Sequence, residues 1–199
     1  MNLCELNEDI HQYPIRPKYD SSQLSIREST IPHSIVIYEN LDGGCVLATK
    51  KAIEGLDAEI FLLNDDMIIE PDCLAKLKEA YDKNYPNKDG VCQPYMDSRR
   101  CPSAGSPYCH TSTIRPFLEH YVHCGWDTEF GQVMQMKNKY TVVPEANLEH
   151  RRVPMSTKNK PLYENIELDE TYKMRNASRE RDKKLFLERK NSGFKDRFV

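Results

Sequence analysis

Three apolar runs separated by polar turns dominate the first half of the chain. Ser34-Ile35-Val36-Ile37-Tyr38-Glu39-Asn40 and Glu59-Ile60-Phe61-Leu62-Leu63 are short, rich in Ile, Val and Phe, and end in polar residues, the pattern of strands covered on both faces. Between them Asp42-Gly43-Gly44 supplies a turn, and Val46–Ile53 reads as a helix. A second helix is predicted over Asp72–Tyr81, with Pro71 at its start. Strand, helix, strand, helix is the βαβ rhythm, which predicts an α/β fold built on a mostly parallel sheet with flanking helices.

Gly90–Met96 reads as a further strand, residues 97–113 as loop, and Arg115–Val122 as a short helix. Residues 125–139 read as a helix whose acidic residues crowd its start, where the helix dipole favours them. Tyr140–Pro144 is then a strand, and Ala146–His150 an extended segment ending in histidine. Residues 169–190 read as one or two charged helices, with Leu185, Phe186 and Leu187 as docking points.

The candidate chemistry starts where the apolar run at Phe61 ends in Asn64-Asp65-Asp66. Two adjacent carboxylates at a strand end repel each other, and a divalent cation or its phosphate ligand relieves that repulsion. In α/β folds the carboxyl ends of strands line the ligand crevice. An Asp-rich turn leading into the next helix is the alternative reading of the same residues.

At 199 residues the chain suffices for one domain with a real core. The apolar stretches are too short to span a membrane, and Met1-Asn2-Leu3-Cys4-Glu5 does not resemble a secretory signal, so a cytoplasmic protein is expected. Seven cysteines without regular spacing fit reduced thiols better than a disulfide framework, and a structural zinc site lacks any Cys-x-x-Cys pair. The net charge of −3 conceals a division. Residues 151–199 hold fourteen Lys and Arg against eight Asp and Glu, which leaves the preceding 150 residues at −9. A basic tail suits a polyanionic partner such as nucleic acid, or is simply a solvated helix surface.

In their order, four segments resemble the family 2 type of GT-A glycosyltransferases, which transfer a sugar from a nucleotide-sugar donor. Gly44–Ile53 is similar to that family's helix before the metal strand, and Leu62–Asp66 to its Asp-x-Asp region, here with adjacent aspartates. Gly125–Phe130 resembles the late acidic motif, with Trp126 in place of the usual glutamate before the aspartate. Val143–His150 resembles the closing strand with its terminal histidine, and Arg181–Phe186 the final helix. The resemblance implies a GT-A (Rossmann-like) domain over 1–155, its nucleotide-sugar part about 1–96 and its acceptor part about 97–155, with a basic helical extension over 156–199 packing on the domain.

The implied activity is metal-dependent, inverting transfer of a hexosyl or pentosyl unit from a nucleoside diphosphate sugar, with UDP-sugar favoured, to an acceptor hydroxyl. Asp66 and His150 would hold Mn²⁺ or Mg²⁺, hard-ligand metals that accept carboxylate and imidazole. Asp65 would bond the ribose or a metal-bound water, beside Asn64. Pro14, Arg16, Glu39 and Asp42 fall where the nucleoside would lie, and Arg151 would clasp the pyrophosphate. Asp127 is the expected general base, Glu129 the competing one, and Trp126 either stacks on a sugar or sits in the core. The basic tail leaves two alternatives: the acceptor is a hydroxylated base in DNA, or the chain is a non-catalytic nucleic-acid-binding protein.

Overall fold

The computed structural model describes residues 29–35, 45–63, 67–95, 105–150 and 170–198, with backbone only at 149–150 and 170–177. These residues form an α/β structure of five strands and five α-helices. The strands are β1 (Glu59–Phe61), β2 (Met67–Ile69), β3 (Val91–Tyr95), β4 (Tyr108–His110) and β5 (Tyr140–His150). The helices are α1 (Cys45–Ala52), α2 (Cys73–Asn84), α3 (Thr111–Leu118), α4 (Trp126–Met136) and α5 (Glu170–Asn191). A 3₁₀ turn follows at Lys195–Arg197.

The sheet runs β1-β4-β3-β5-β2. It is mixed rather than mostly parallel: β3 and β5 are parallel, while β1–β4, β3–β4 and β2–β5 are antiparallel. The difference comes from two three-residue strands. Met67-Ile68-Ile69 turns back along β5, and Tyr108-Cys109-His110, inside the stretch read as loop, fits between β1 and β3. Three residues are too few to show a period, and the Pro before Tyr108 reads as punctuation.

Alternation along the strands divides the core in two. Ile60, Leu62, Val91, Cys109 and Tyr140 join one cluster with Val46, Ile53, Ile114, Phe117, Leu118, Trp126, Phe130, Val133 and Met134 of the helices. Phe61, Leu63, Cys92, Tyr108 and Val143 face the other way, onto Cys73, Leu74, Leu77 and Tyr81 of α2. One helix covers one face and three cover the other, so the sheet is sandwiched.

The predicted helix 72–81 begins at Cys73, not at Pro71, and continues to Asn84. The helix read over 125–139 stops at Met136 because Asn138 adopts φ 56°, a left-handed turn that Asn tolerates and that sends the chain directly into β5. Strand 140–144 and segment 146–150 are one strand. The strand read from Ser34 falls largely outside the described residues. Among the described residues no helix is long and apolar enough to cross a membrane.

Candidate functional site

Strand directions bring several chain ends to one edge of the sheet. β1, β3 and β5 run the same way, and β2 and β4 run oppositely, so the carboxyl ends of β1, β3 and β5 and the amino ends of β2 and β4 share that edge. Leu62 N–H donates to Pro107 O at 3.1 Å, and Ser106 Oγ, fully buried, lies 2.8 Å from Met67 Sδ. Met67 pairs with His150 and Tyr95 with Asn147. The backbone of His150 therefore lies across the ladder from the residue that directly follows Asp66, a separation of about 5 Å for paired Cα atoms.

Of the residues expected at the site, Pro14, Arg16, Glu39, Asp42, Asn64, Asp65, Asp66 and Arg151 lie outside the described residues, and His150 is described by its backbone alone. A carboxylate and an imidazole are donors of the kind that suits Mn²⁺ or Mg²⁺. Among the described residues no group of three or more His, Cys, Asp and Glu side chains is placed to hold a metal ion.

The helix α4 brings the late acidic motif to bear. A tight turn joins it to β5, with Lys139 N–H donating to Met134 O at 2.7 Å. Gly125 caps it at φ 93°, and a Cβ there would sit 3.0 Å from the Tyr121 ring. Left-handed backbone and close packing together favour glycine at this position.

Trp126, the next residue, is 7% exposed and belongs to the core cluster. Of the two readings the sequence left open, this burial fits the core one. Asp127 is half-buried in the first turn of α4. It lies near Cys45 at the start of α1, whose thiol donates to His123 O at 2.7 Å. Cys45 keeps some exposed surface, yet its thiol is pushed up to about 11, by desolvation first and by the Asp127 charge next.

Glu129, two residues further, turns to another side of the helix. It is fully buried, and Oε2 accepts from Tyr121 OH at 2.6 Å and Arg189 Nε at 2.7 Å, while Oε1 accepts from Arg189 Nη2 at 2.8 Å and Arg197 Nε at 2.9 Å. Burial raises its carboxyl, but the hydrogen bonds from Arg189, Tyr121 and Arg197 outweigh that and hold it below the usual carboxylate range. A base must reach a substrate hydroxyl. Glu129 is sealed from solvent and spends both oxygens on internal donors, so it anchors the end of the chain instead of competing as the base.

A second buried carboxylate completes that anchorage. Asp182 on α5 is fully buried, and its Oδ2 accepts the backbone N–H groups of Val122, His123 and Cys124 at 3.1, 2.6 and 3.0 Å. These three amides form the loop that delivers Gly125 and Asp127, so α5 fixes the entry to α4. Asp182→Ala leaves three amides without their acceptor and is expected to lower stability by about 3 kcal/mol or more in urea unfolding, each stranded donor costing roughly 1 kcal/mol or more.

Compared with known protein families, characterised proteins and solved structures, the chain shows no significant match to any of them.

Three contributors to this region escaped the sequence reading. Arg189, Arg197 and Asp182 sit in the segment read as a basic helical extension packing on the domain through Leu185, Phe186 and Leu187, and their signal is indirect: an acidic residue spaced to face the core demands a partner. Gln93, 3% exposed on the central strand β3, leaves both amide atoms without a hydrogen bond and carried no sequence signal at all.

Proposed function

We propose that the chain is a metal-dependent inverting glycosyltransferase of GT-A type, moving a hexosyl or pentosyl unit from a nucleoside diphosphate sugar, UDP-sugar first, to an acceptor hydroxyl. The observation that carries the proposal is the Met67–His150 pairing, because it joins the sequence neighbour of Asp66 to the histidine of the closing strand. The common edge at which β1, β3 and β5 end supports it further.

On this reading Asp66 and His150 hold Mn²⁺ or Mg²⁺, which when bound neutralises charge developing on the diphosphate leaving group. Asp65 and Asn64 orient the ribose, and Arg151 pairs with a phosphate oxygen. Asp127 takes the proton from the acceptor hydroxyl as that oxygen attacks the anomeric carbon opposite the leaving group, which inverts the configuration. Glu129 and Trp126 hold α4 in place rather than touching substrate.

A donor screen tests the reading by thermal unfolding with UDP-, GDP- and dTDP-sugars, with and without Mn²⁺. A cognate donor at about 100 times its Kd is expected to raise Tm by about 5–10 °C. The Mn²⁺-dependent part of that rise disappears in Asp66→Ala. Silence toward every donor, with Asp66→Ala indistinguishable from the native protein, would sink the proposal.

A further inference from the structure

The side of α5 turned toward the protein is taken up by the anchors Asp182 and Arg189 and by Leu185 and Phe186. Beside that stripe Arg179, Lys183 and Lys190 recur at intervals of four and seven, which return to one side of a helix. We propose that this row of cations docks the phosphate backbone of a nucleic acid, which makes a polynucleotide the carrier of the acceptor hydroxyl. The catalytic meaning of the row rests on the glycosyltransferase reading; the docking itself does not.

Exposure and charge set this row apart. Lys183 and Lys190 are exposed and Arg179 is partly so. Lys183 has Glu180 at 2.6 Å, an exposed pair that water and salt weaken, while Arg179 and Lys190 make no ion pair among the described residues. Residues 151–199 hold fourteen Lys and Arg against eight Asp and Glu, and the preceding 150 residues sum to −9, so the field of the molecule steers a polyanion toward the segment that carries the row. Leu187 is the one large apolar side chain exposed on the described part of α5. A lipid surface calls for a whole apolar face, whereas phosphates need only spaced cations. From Arg179 to Lys190 the helix rises about 16 Å, close to half a turn of duplex DNA.

The row also begins at the right place for the reaction. Arg179 O lies 3.9 Å from Cys124 Sγ, and Asp182 holds the amides of Val122, His123 and Cys124. A backbone docked at Arg179 therefore lies beside the loop that leads into Gly125 and Asp127. The buried contacts of Glu129 and Asp182 fix α5, so its cations are presented on a rigid support.

A fluorescein-labelled DNA duplex of about 20 base pairs, titrated with the full chain without donor or metal and followed by anisotropy, is the test. Saturable binding is expected, weakening about 40-fold between about 50 and 200 mM salt, because three phosphate contacts give a log–log slope of about −2.7. Lys183→Glu combined with Lys190→Glu, both at exposed positions, is expected to weaken binding at least about tenfold with Tm unchanged. Lys184→Glu is the control: it makes the same charge change on another side of the helix, at a residue that faces Glu188 at 4.0 Å, and is expected to cost less than about threefold. Absence of saturable binding, indifference to salt, an equal loss in Lys184→Glu, or tighter capture by phosphatidylserine vesicles overturns the proposal. A donor response without DNA binding removes the row and leaves the transferase reading standing, and DNA binding with silence toward every donor does the reverse.

Discussion

Glu129→Ala is expected to destabilise the protein by about 3–5 kcal/mol, the range for removing one partner of a buried ion pair. In a chain of this size that lowers Tm by about 6–20 °C. The physical reason lies in what remains. Arg189 keeps Asp196, but Arg197 loses its carboxylate while remaining 9% exposed, and Tyr121 OH loses its acceptor in the core. The same carboxylate ties α4 to α5 and to the 3₁₀ turn, so the change is expected to open the C-terminal segment to protease before the sheet gives way. A pH series separates charge from packing. The native carboxyl is held below its usual range, so the unfolded chain binds the extra proton first as pH falls. Its stabilisation is complete above the ordinary carboxylate range and is lost as pH falls through the depressed native value. The native protein should therefore lose Tm in acid more steeply than Glu129→Gln. A loss under 1 kcal/mol in Glu129→Ala, with an unchanged acid profile, would show that the cluster contributes little.

That cluster also shows why the charged anchors of the tail do not stand out in its sequence. On α5 the inward positions run Asp182, Leu185, Phe186 and Arg189, at helical spacings of three and four. Two of the four are charged, so the stripe does not look apolar even though it faces the protein. Leu187, read as a docking residue, is 56% exposed because it falls on the other side of that stripe. The two-sided burial of the strand from Glu59 was legible in its apolar run, since Ile60, Phe61, Leu62 and Leu63 fill both core clusters in turn. Sheet direction was not, because it was decided by β2 and β4, which are too short to carry a pattern. At the candidate site, the crowding of acid at the start of α4 was visible, but not its division. Asp127 and Glu129 look equivalent in sequence, and only the arginines sixty and sixty-eight residues away make one of them structural.

Asp127→Asn is expected to reduce turnover by about 10²–10⁴-fold, the usual contribution of a positioned general base, while donor affinity stays within about twofold. The substitution keeps shape and helix-start preference and removes only the charge. A carboxylate at this position has a second, purely structural use, because the amino end of α4 favours negative charge by about 0.3–1 kcal/mol. The two uses predict different outcomes. If Asp127 serves only the helix, Asp127→Asn costs that small stability and turnover is unaffected. If it is the base, turnover collapses with Tm nearly constant. Cys45 offers an internal check that the charge has gone without disturbing the fold. Part of the rise of its thiol to about 11 comes from Asp127, so the pH at which Cys45 reacts with an alkylating agent should move down in Asp127→Asn. A shifted Cys45 profile with turnover within fivefold of native would remove Asp127 as the base. Because Glu129 is already committed to Tyr121, Arg189 and Arg197, that result would leave α4 without a carboxylate for the reaction and would turn the search for a base to another element.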